Sequence, residues 1–321
     1  MKKNRIIIAL MALSVLACSC SKTETSAPDE MELVDVELTL SVSSTPGDTR
    51  SDMPLFPEQE NWIWDFYYIQ YDDMGNSLAS GHIRDGATSG ELSVTASVKL
   101  WKAQETTVLV IANIVPAGTS YGDDPHWQVG TSIFVGGQAY LSTAKTTKFD
   151  MSTRLARDAE GHYSTLKHMP MCGYWSGDFD QETGNYPINI ALGRMITRMN
   201  VNIKNNSAYE ITRVTLNNVA KNAYVFPQAS NTPLDPANDY FSAPIVQTVS
   251  IPAGASQTLY FYSAPNYCTD GGKITTIQFH TDTKASDVKK LGSYIVDESN
   301  ESENDYNLYM NTIYTYNLTV N

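Results

Sequence analysis

Apolar and polar residues alternate strictly over residues 34–42. The apolar positions are Val34, Val36, Leu38, Leu40 and Val42, and the residues between them are Asp, Glu, Thr and Ser. Five apolar side chains at a period of two predict a β-strand with one buried face. A second alternation covers residues 92–100. A continuous apolar run at residues 108–112 is typical of a strand covered on both faces.

The remainder of the chain is also rich in β-forming residues. Helical periodicity is weak, and residues 141–151 alone predict one or two helical turns. Short strands in a chain with 19 tyrosines predict β-sandwiches or barrels, and hence an all-β protein. Further strands are predicted at residues 62–71, 195–203, 258–262, 274–279 and 314–320.

Two segments rich in turn-forming residues divide the chain. Residues 44–52 contain Pro-Gly and Gly-Asp and predict an exposed loop after the first strand. Residues 177–187 combine Asp, Gly, Asn and Pro and are the best candidate for a linker. This linker predicts an N-terminal domain at residues 51–186, completed by a strand at 31–44, and a C-terminal domain at 187–321.

The N-terminus has the pattern of a lipoprotein signal peptide. Basic residues at positions 2, 3 and 5 precede an apolar run at 6–15, which is too short to span a bilayer as a helix. The sequence Val15-Leu16-Ala17-Cys18 follows and resembles a bacterial lipobox. We therefore expect a signal peptide at 1–17 and acylation of Cys18, which would hold the chain at a membrane. Cys20 is a second candidate for the anchor, and a plain secretory signal is the alternative.

The charge and the cysteine count exclude several classes of function. The chain has 22 basic and 35 acidic residues, a net charge of −13, which argues against binding to nucleic acid or to anionic membrane surfaces. Only Cys172 and Cys268 lie beyond the signal region, so a disulfide scaffold is excluded. Two separate, buried thiols are the favoured interpretation, and pairing of the two stays open.

No motif for catalysis, for a metal or for a cofactor is found. The five histidines show no metal-type spacing, and GxSxG, HExxH and phosphate-binding glycine loops are absent from the sequence. The acidic run at 297–305 lacks the spacing of a calcium loop and is interpreted as a solvated loop. We therefore expect no enzyme, no cofactor and no metal site. The tryptophans could form a sugar-stacking platform, although core packing is more common: Trp62, Trp64, Trp101, Trp127 and Trp175.

Four segments of the chain match the patterns of one known family. They are VLVIAN at 108–113 (an apolar run, then A-N), HMPMCG at 168–173 (PM-small-G), LGRMITRMNV at 192–201 (L-x-R-x-x-A-K-V-x-V, with Thr197 and Arg198 in place of Ala and Lys) and NTIYTYNLTV at 311–320 (N-x-I-Y-x-x-x-L-x-V). Together they resemble the fimbrillins, the FimA-like subunits of Bacteroidales type V pili. They occur in the family's order and span nearly all of the chain after the signal peptide.

This resemblance implies a fold and a route of assembly. The fold would be two transthyretin-like, Greek-key β-sandwich domains. The chain would be exported as a lipoprotein of the outer membrane and cut by an arginine-specific protease in the loop after the first strand. The first strand would then leave, and a strand from another pilus subunit would take its place in the fimbrium.

The residues fit this route at particular positions. Arg50 lies in the predicted exposed loop and is the only Arg or Lys between Lys22 and Arg84. Cleavage there would release residues 18–50, the lipidated tether with the removable strand. The alternating strand at 31–44 suits exchange, because main-chain hydrogen bonds give affinity and alternate side chains set the register. The alternative for Arg50 is an ordinary solvated residue.

The position of the subunit in a pilus stays open. The chain ends at Asn321, directly after the closing strand, whereas stalk subunits of this family usually carry an additional donor strand pair. A tip or accessory subunit, with a possible host or bacterial surface ligand, is favoured over one whose strand 314–320 swings out as donor, and a base anchor is less favoured. The alternative function is a lipid-anchored, glycan-binding surface protein.

Overall fold

The computed structural model describes residues 32–42, 62–83, 92–114, 140–152, 154–155, 169–179, 187–228, 232–268, 273–293 and 304–321. Within these residues there are sixteen strands and one helix, α1 (Leu141–Thr146). The strands are β1 (Leu33–Val42), β2 (Phe66–Tyr71), β3 (Ser77–Ile83), β4 (Ser93–Trp101), β5 (Ala103–Ala112), β6 (Lys148–Asp150), β7 (Met171–Phe179), β8 (Ile188–Arg194), β9 (Thr197–Asn205), β10 (Ile211–Asn217), β11 (Asn222–Tyr224), β12 (Ile245–Ile251), β13 (Ser256–Ser263), β14 (Thr276–His280), β15 (Lys289–Lys290) and β16 (Thr312–Val320).

The first eight strands, except β6, form one folded sheet in the order β3-β2-β5-β7-β8-β1-β4. Strands β7 and β8 pair at only two positions, Met171 with Arg194 and Cys172 with Gly193. The sheet folds over at this short contact, so that β8, β1 and β4 face β2, β5 and β7 across one apolar core. Side chains from both layers meet there, including Leu38, Val98, Phe66 and Val110. This is the first β-sandwich.

The later strands form a second β-sandwich. A three-stranded sheet, β13-β9-β16, lies against a four-stranded sheet, β12-β10-β14-β15. Both sheets contribute to one core, with Val201 and Phe261 from the first sheet and Val214 and Ile277 from the second. The prediction of an all-β chain with two β-sandwiches is therefore confirmed.

The two sandwiches share one arrangement of strands. In the first, β1 lies between β4, which is antiparallel to it, and β8, which is parallel to it. In the second, β9 lies between the antiparallel β13 and the parallel β16. In each sandwich the earliest described strand is thus central in its layer and is parallel to the last one.

A third apolar core joins the two sandwiches. Tyr67 and Ile69 of β2 and Leu109 and Ile111 of β5 point into it from the first sandwich. The second sandwich contributes Tyr240, Tyr262 and Ile313. Alternate residues of β5, among them Val108 and Val110, point into the first core instead. The predicted strand covered on both faces is therefore confirmed at 108–112.

Several element boundaries differ from the prediction. The helix ends at Thr146, because the chain then turns into β6, which pairs with β11. The strand predicted at 62–71 begins only at Phe66. Before it, the backbone of Trp62 and Trp64 is hydrogen-bonded to the side chain of Asn113.

The junction between the sandwiches lies at the end of β8. Ile188, Ile190 and Leu192 of this strand are buried in the first core, and β9 begins the second core at residue 197. Arg194 Nη1 donates a hydrogen bond to Asn311 Oδ1, which ties the end of β8 to the turn before β16. We propose that the domain boundary lies at residues 195–196, and thus beyond the linker predicted at 177–187.

Candidate strand-exchange site

The inward face of β1 is apolar and deeply buried. Val36, Leu38 and Leu40 are at most 1% exposed. Val34 and Val42, at the two ends, are half-buried and pack against the same core. At ~1.5–3 kcal/mol for each buried aliphatic side chain, the face contributes on the order of 10 kcal/mol of gross burial energy. If β1 left, the core would be open to water along its whole length.

Main-chain pairing holds β1 on both sides. Residues 33–41 pair antiparallel with β4, for example Leu38 with Ala96. Residues 38–42 pair parallel with β8, for example Leu38 with Ile188. The slot that β1 occupies therefore has two strand edges as its walls. An empty slot of this kind exposes unpaired N–H and C=O groups, and these strongly favour the addition of another strand.

The outward face of β1 is polar and makes exposed contacts. Asp35 Oδ1 lies 2.9 Å from Lys99 Nζ on β4, and both side chains are about 60% exposed. Thr39 Oγ1 lies 3.0 Å from Thr95 Oγ1. Exposed ion pairs contribute little to stability, typically about 0.2–1 kcal/mol. The strand is therefore held mainly by its buried face and by its backbone.

Two side chains of β2 hold β4 from the opposite layer. Gln70 is fully buried, donates through Nε2 to Trp101 O at 2.6 Å, and accepts from Trp101 N at 2.8 Å. Its amide thus bonds both backbone groups of one β4 residue. Tyr68 crosses the core and hydrogen-bonds the backbone of Lys99, and burial raises the pKa of Tyr68. Sequence reasoning missed both contacts, because no pattern in β2 marks a polar residue that bonds a distant backbone.

The structure describes only part of the predicted site residues. The strand residues Val34, Val36, Leu38, Leu40 and Val42 all lie on β1, with the three central ones buried. Cys18 and Arg50 lie outside the described residues. Their roles in lipidation and in proteolytic maturation therefore stay predictions.

The two later cysteines are separate thiols. Cys172 is buried, and its Sγ lies 3.9 Å from Met310 Sδ. Cys268 Sγ donates to Tyr306 O at 2.8 Å. Burial raises the pKa of both thiols to about 12. Both thiols are therefore protonated and unreactive near neutral pH.

Other polar candidates have structural contacts. In the described part of the chain, no three His, Cys, Asp or Glu side chains come together as a metal site requires. His82 lies 3.2 Å from Asp65 and stacks on Tyr67. Asp305, at the end of the acidic run, accepts hydrogen bonds from Tyr309 at 2.7 Å and from a serine hydroxyl.

The tryptophans that the structure describes do not form an exposed row. Trp62, Trp64, Trp101 and Trp175 are all half-buried. The rings of Trp62 and Trp64 meet edge to face at 5.8 Å, and Trp175 packs against the first core. Trp127 lies outside the described residues. The described residues also contain no helix of the length and apolarity that a membrane span needs.

Neither a protein-family model nor a curated protein matches this sequence. Solved structures do match it. The tip fimbrial protein Mfa3 from Porphyromonas gingivalis, with a C-terminal truncation, superposes with a TM-score of 0.57 at 14% identity, over 89% of this chain and 95% of that one. The chain has a fimbrillin-like fold. The resemblance seen in the four sequence segments is therefore confirmed at the level of the fold.

The same fimbrillin-like fold is found in other Bacteroidales proteins. A proposed cell adhesion protein from Parabacteroides distasonis matches with a TM-score of 0.57 at 14% identity, over 89% of this chain and 87% of that one. One from Bacteroides eggerthii matches with a TM-score of 0.55 at 13% identity, over 91% and 88%. At such low identity the likeness concerns the fold, and function has to be argued from the site.

Proposed function

We propose that this protein is a structural fimbrial subunit of the bacterial cell surface, in a tip or accessory position, and not an enzyme. It is exported as a lipoprotein, acylated at Cys18 and held at the outer membrane. An arginine-specific protease cuts after Arg50 and releases residues 18–50. A strand from another subunit then enters the slot of β1, and the subunit becomes part of a fimbrium that serves adhesion.

One observation carries this proposal more than any other. A strand near the N-terminus, β1, occupies the centre of a sheet layer, and its inward side chains fill the first core. Its neighbours β4 and β8 are not hydrogen-bonded to each other, so an incoming strand can pair with both of them in the place of β1. The fimbrillin-like fold supports the same interpretation, since one structure with this fold is a tip fimbrial protein.

The proposal is tested by limited digestion of the full-length protein with an arginine-specific protease. N-terminal sequencing is expected to give Ser51 as the new first residue, and size-exclusion chromatography with light scattering is expected to show multimers or uptake of an added alternating-strand peptide. Arg50→Ala is expected to prevent both changes. Arg84→Ala is the matched control and is expected to leave them intact.

Two outcomes would contradict the proposal. The first is a chain that resists cleavage at Arg50 while it is cut at other arginines. The second is a cleaved chain that stays monomeric, retains residues 18–50 under exchange with excess peptide and takes up no strand.

A further inference from the structure

Two lysines at one end of the β1 slot are paired with acids of the departing segment. Lys99 Nζ lies 2.9 Å from Asp35 Oδ1, and Lys102 Nζ lies 2.6 Å from Glu32 Oε2. The backbone of Lys102 also donates to Glu32 O at 2.8 Å. Loss of the segment that precedes Ser51 would remove both acidic partners together.

The charge on this wall of the slot is confined to one end. On β4, Lys99 stands opposite Asp35, and Lys102 follows directly after the strand. At the other end, Thr95 and Ser93 stand opposite Thr39 and Ser41, so the described β4 residues at this end carry no charge. Among the described β4 residues, the outer face of the slot is thus cationic where β1 begins and neutral where β1 ends.

We propose that the strand which replaces β1 carries carboxylates at the two positions that face Lys99 and Lys102, near its own N-terminal end. This inference rests on the proposed function, namely that another subunit's strand enters the slot. The occupant is an alternating aliphatic strand with an acidic start and neutral polar residues toward its end. It runs in the direction of β1, antiparallel to β4 and parallel to β8.

The lysines select the direction more than they add affinity. The buried positions of Val36, Leu38 and Leu40 form a nearly symmetric row of aliphatic sites, which a strand could fill in either direction. Carboxylates at the start of the incoming strand reach Lys99 and Lys102 only when the strand runs as β1 does. The reversed strand would place its acids beside Thr95 and Ser93 and leave both lysines without partners. Opposite charges directly across a strand pair are favourable, and they fix the register as well as the direction.

The experiment uses the full-length protein cut at Arg50 and three labelled peptides. The first peptide has the sequence of residues 32–42. The second carries Glu32→Gln and Asp35→Asn. The third carries these two changes together with Thr39→Asp and Ser41→Glu, which move two acids to the opposite end, and Glu37 is kept in all three. Binding is measured by fluorescence anisotropy in excess unlabelled protein at 0.05 M and 0.5 M salt.

The second and third peptides are expected to bind about 2- to 10-fold more weakly than the first at low salt, as two exposed ion pairs allow. The difference is expected to shrink at 0.5 M salt, where screening is strong. Lys99→Gln with Lys102→Gln is expected to abolish the preference, and Lys204→Gln on the second sandwich is the matched control that keeps it.

The outcomes separate this inference from the function on which it rests. Equal binding of all three peptides at both salt concentrations overturns the charge selection and leaves strand exchange standing. A preference that survives in the double lysine variant overturns it as well. Binding of none of the peptides removes the proposed function and this inference with it.

Discussion

Replacing Leu38 by alanine is expected to lower the stability of the uncut protein but not that of the strand-exchanged protein. Leu38 is fully buried at the centre of β1, with Ala96 and Ile188 beside it on the neighbouring strands. Leu→Ala substitutions in a well-packed core cost about 2–5 kcal/mol, because the cavity that is left collapses only partly. For a unit of this size, roughly 3 kcal/mol corresponds to a melting temperature lower by about 6–12 °C.

The assay is differential scanning calorimetry before and after exchange. Uncut Leu38→Ala is expected to melt at the lower temperature. After cleavage at Arg50, the released segment is replaced by the wild-type peptide 32–42. The variant is then expected to have the same melting temperature as the wild-type protein treated in the same way, because the altered residue has left with β1. Thr39→Ala, on the outward face, is the matched control. It loses one exposed contact to Thr95 and is expected to cost less than about 1 kcal/mol.

Either of two results would refute this reasoning. If the melting temperature of Leu38→Ala stays below that of the wild-type protein after the wild-type peptide has been added, residues 32–42 have never left the slot. A Thr39→Ala effect as large as that of Leu38→Ala would mean that the buried face does not dominate the binding of β1.

Three further predictions follow from other contacts. Asn113→Gly tolerates the positive φ of 58° at this position but removes side-chain hydrogen bonds to three backbone groups. The free energy of unfolding from urea denaturation is expected to fall by about 2–4 kcal/mol, and an unchanged urea midpoint would contradict this. Gln70→Leu leaves the N–H and C=O of Trp101 without this partner and is expected to cost about 2 kcal/mol in the uncut protein. It is also expected to weaken peptide uptake by the cut protein, whereas uptake at the wild-type level would show that β4 does not depend on this amide. Burial raises the thiol pKa of Cys172 and Cys268 from 9.0 to about 12. The stability that these thiols contribute is present below pH 9 and is lost as the pH rises from about 9 to about 12, because the unfolded chain then releases protons that the folded chain retains. Urea midpoints that stay constant from pH 8 to pH 11 would exclude this linkage.

The sequence predicts best those strands whose pattern alone determines their environment. The alternation of β1 and β4 predicts one buried face for each, and the apolar run in β5 predicts burial on both faces. In these strands the local preference agrees with the tertiary environment, so periodicity is sufficient.

Other strands form because of their partners and not because of their own residues. Strand β3 has the sequence SLASGHI, which is rich in small residues and has no apolar alternation. It is a strand because it pairs along its length with β2. At Gly81 an added Cβ would lie 2.5 Å from the ring of Tyr68, so only glycine lets this ring pass. The tertiary context determines that these residues form a strand, as is common for β-structure.

The sequence predicts only part of the candidate site. The removable face of β1 follows from its pattern, but its central place in the layer depends on parallel pairing with β8, which is distant along the chain. The pairs of Lys99 with Asp35 and of Lys102 with Glu32 likewise join residues 64 and 70 positions apart. Periodicity shows which side of a strand is buried, but it does not show which strand lies beside it.

The strand arrangement of the two sandwiches determines how many donor strands one subunit can accept. In both, the earliest described strand is the central one, yet β9 follows directly on β8 through residues 195–196, whereas β1 is continuous with the tether. One cut in the loop after β1 frees that strand, but β9 stays covalently joined at both ends. Under the proposed mechanism each subunit therefore has one acceptor slot, so it takes up the strand of only one other subunit.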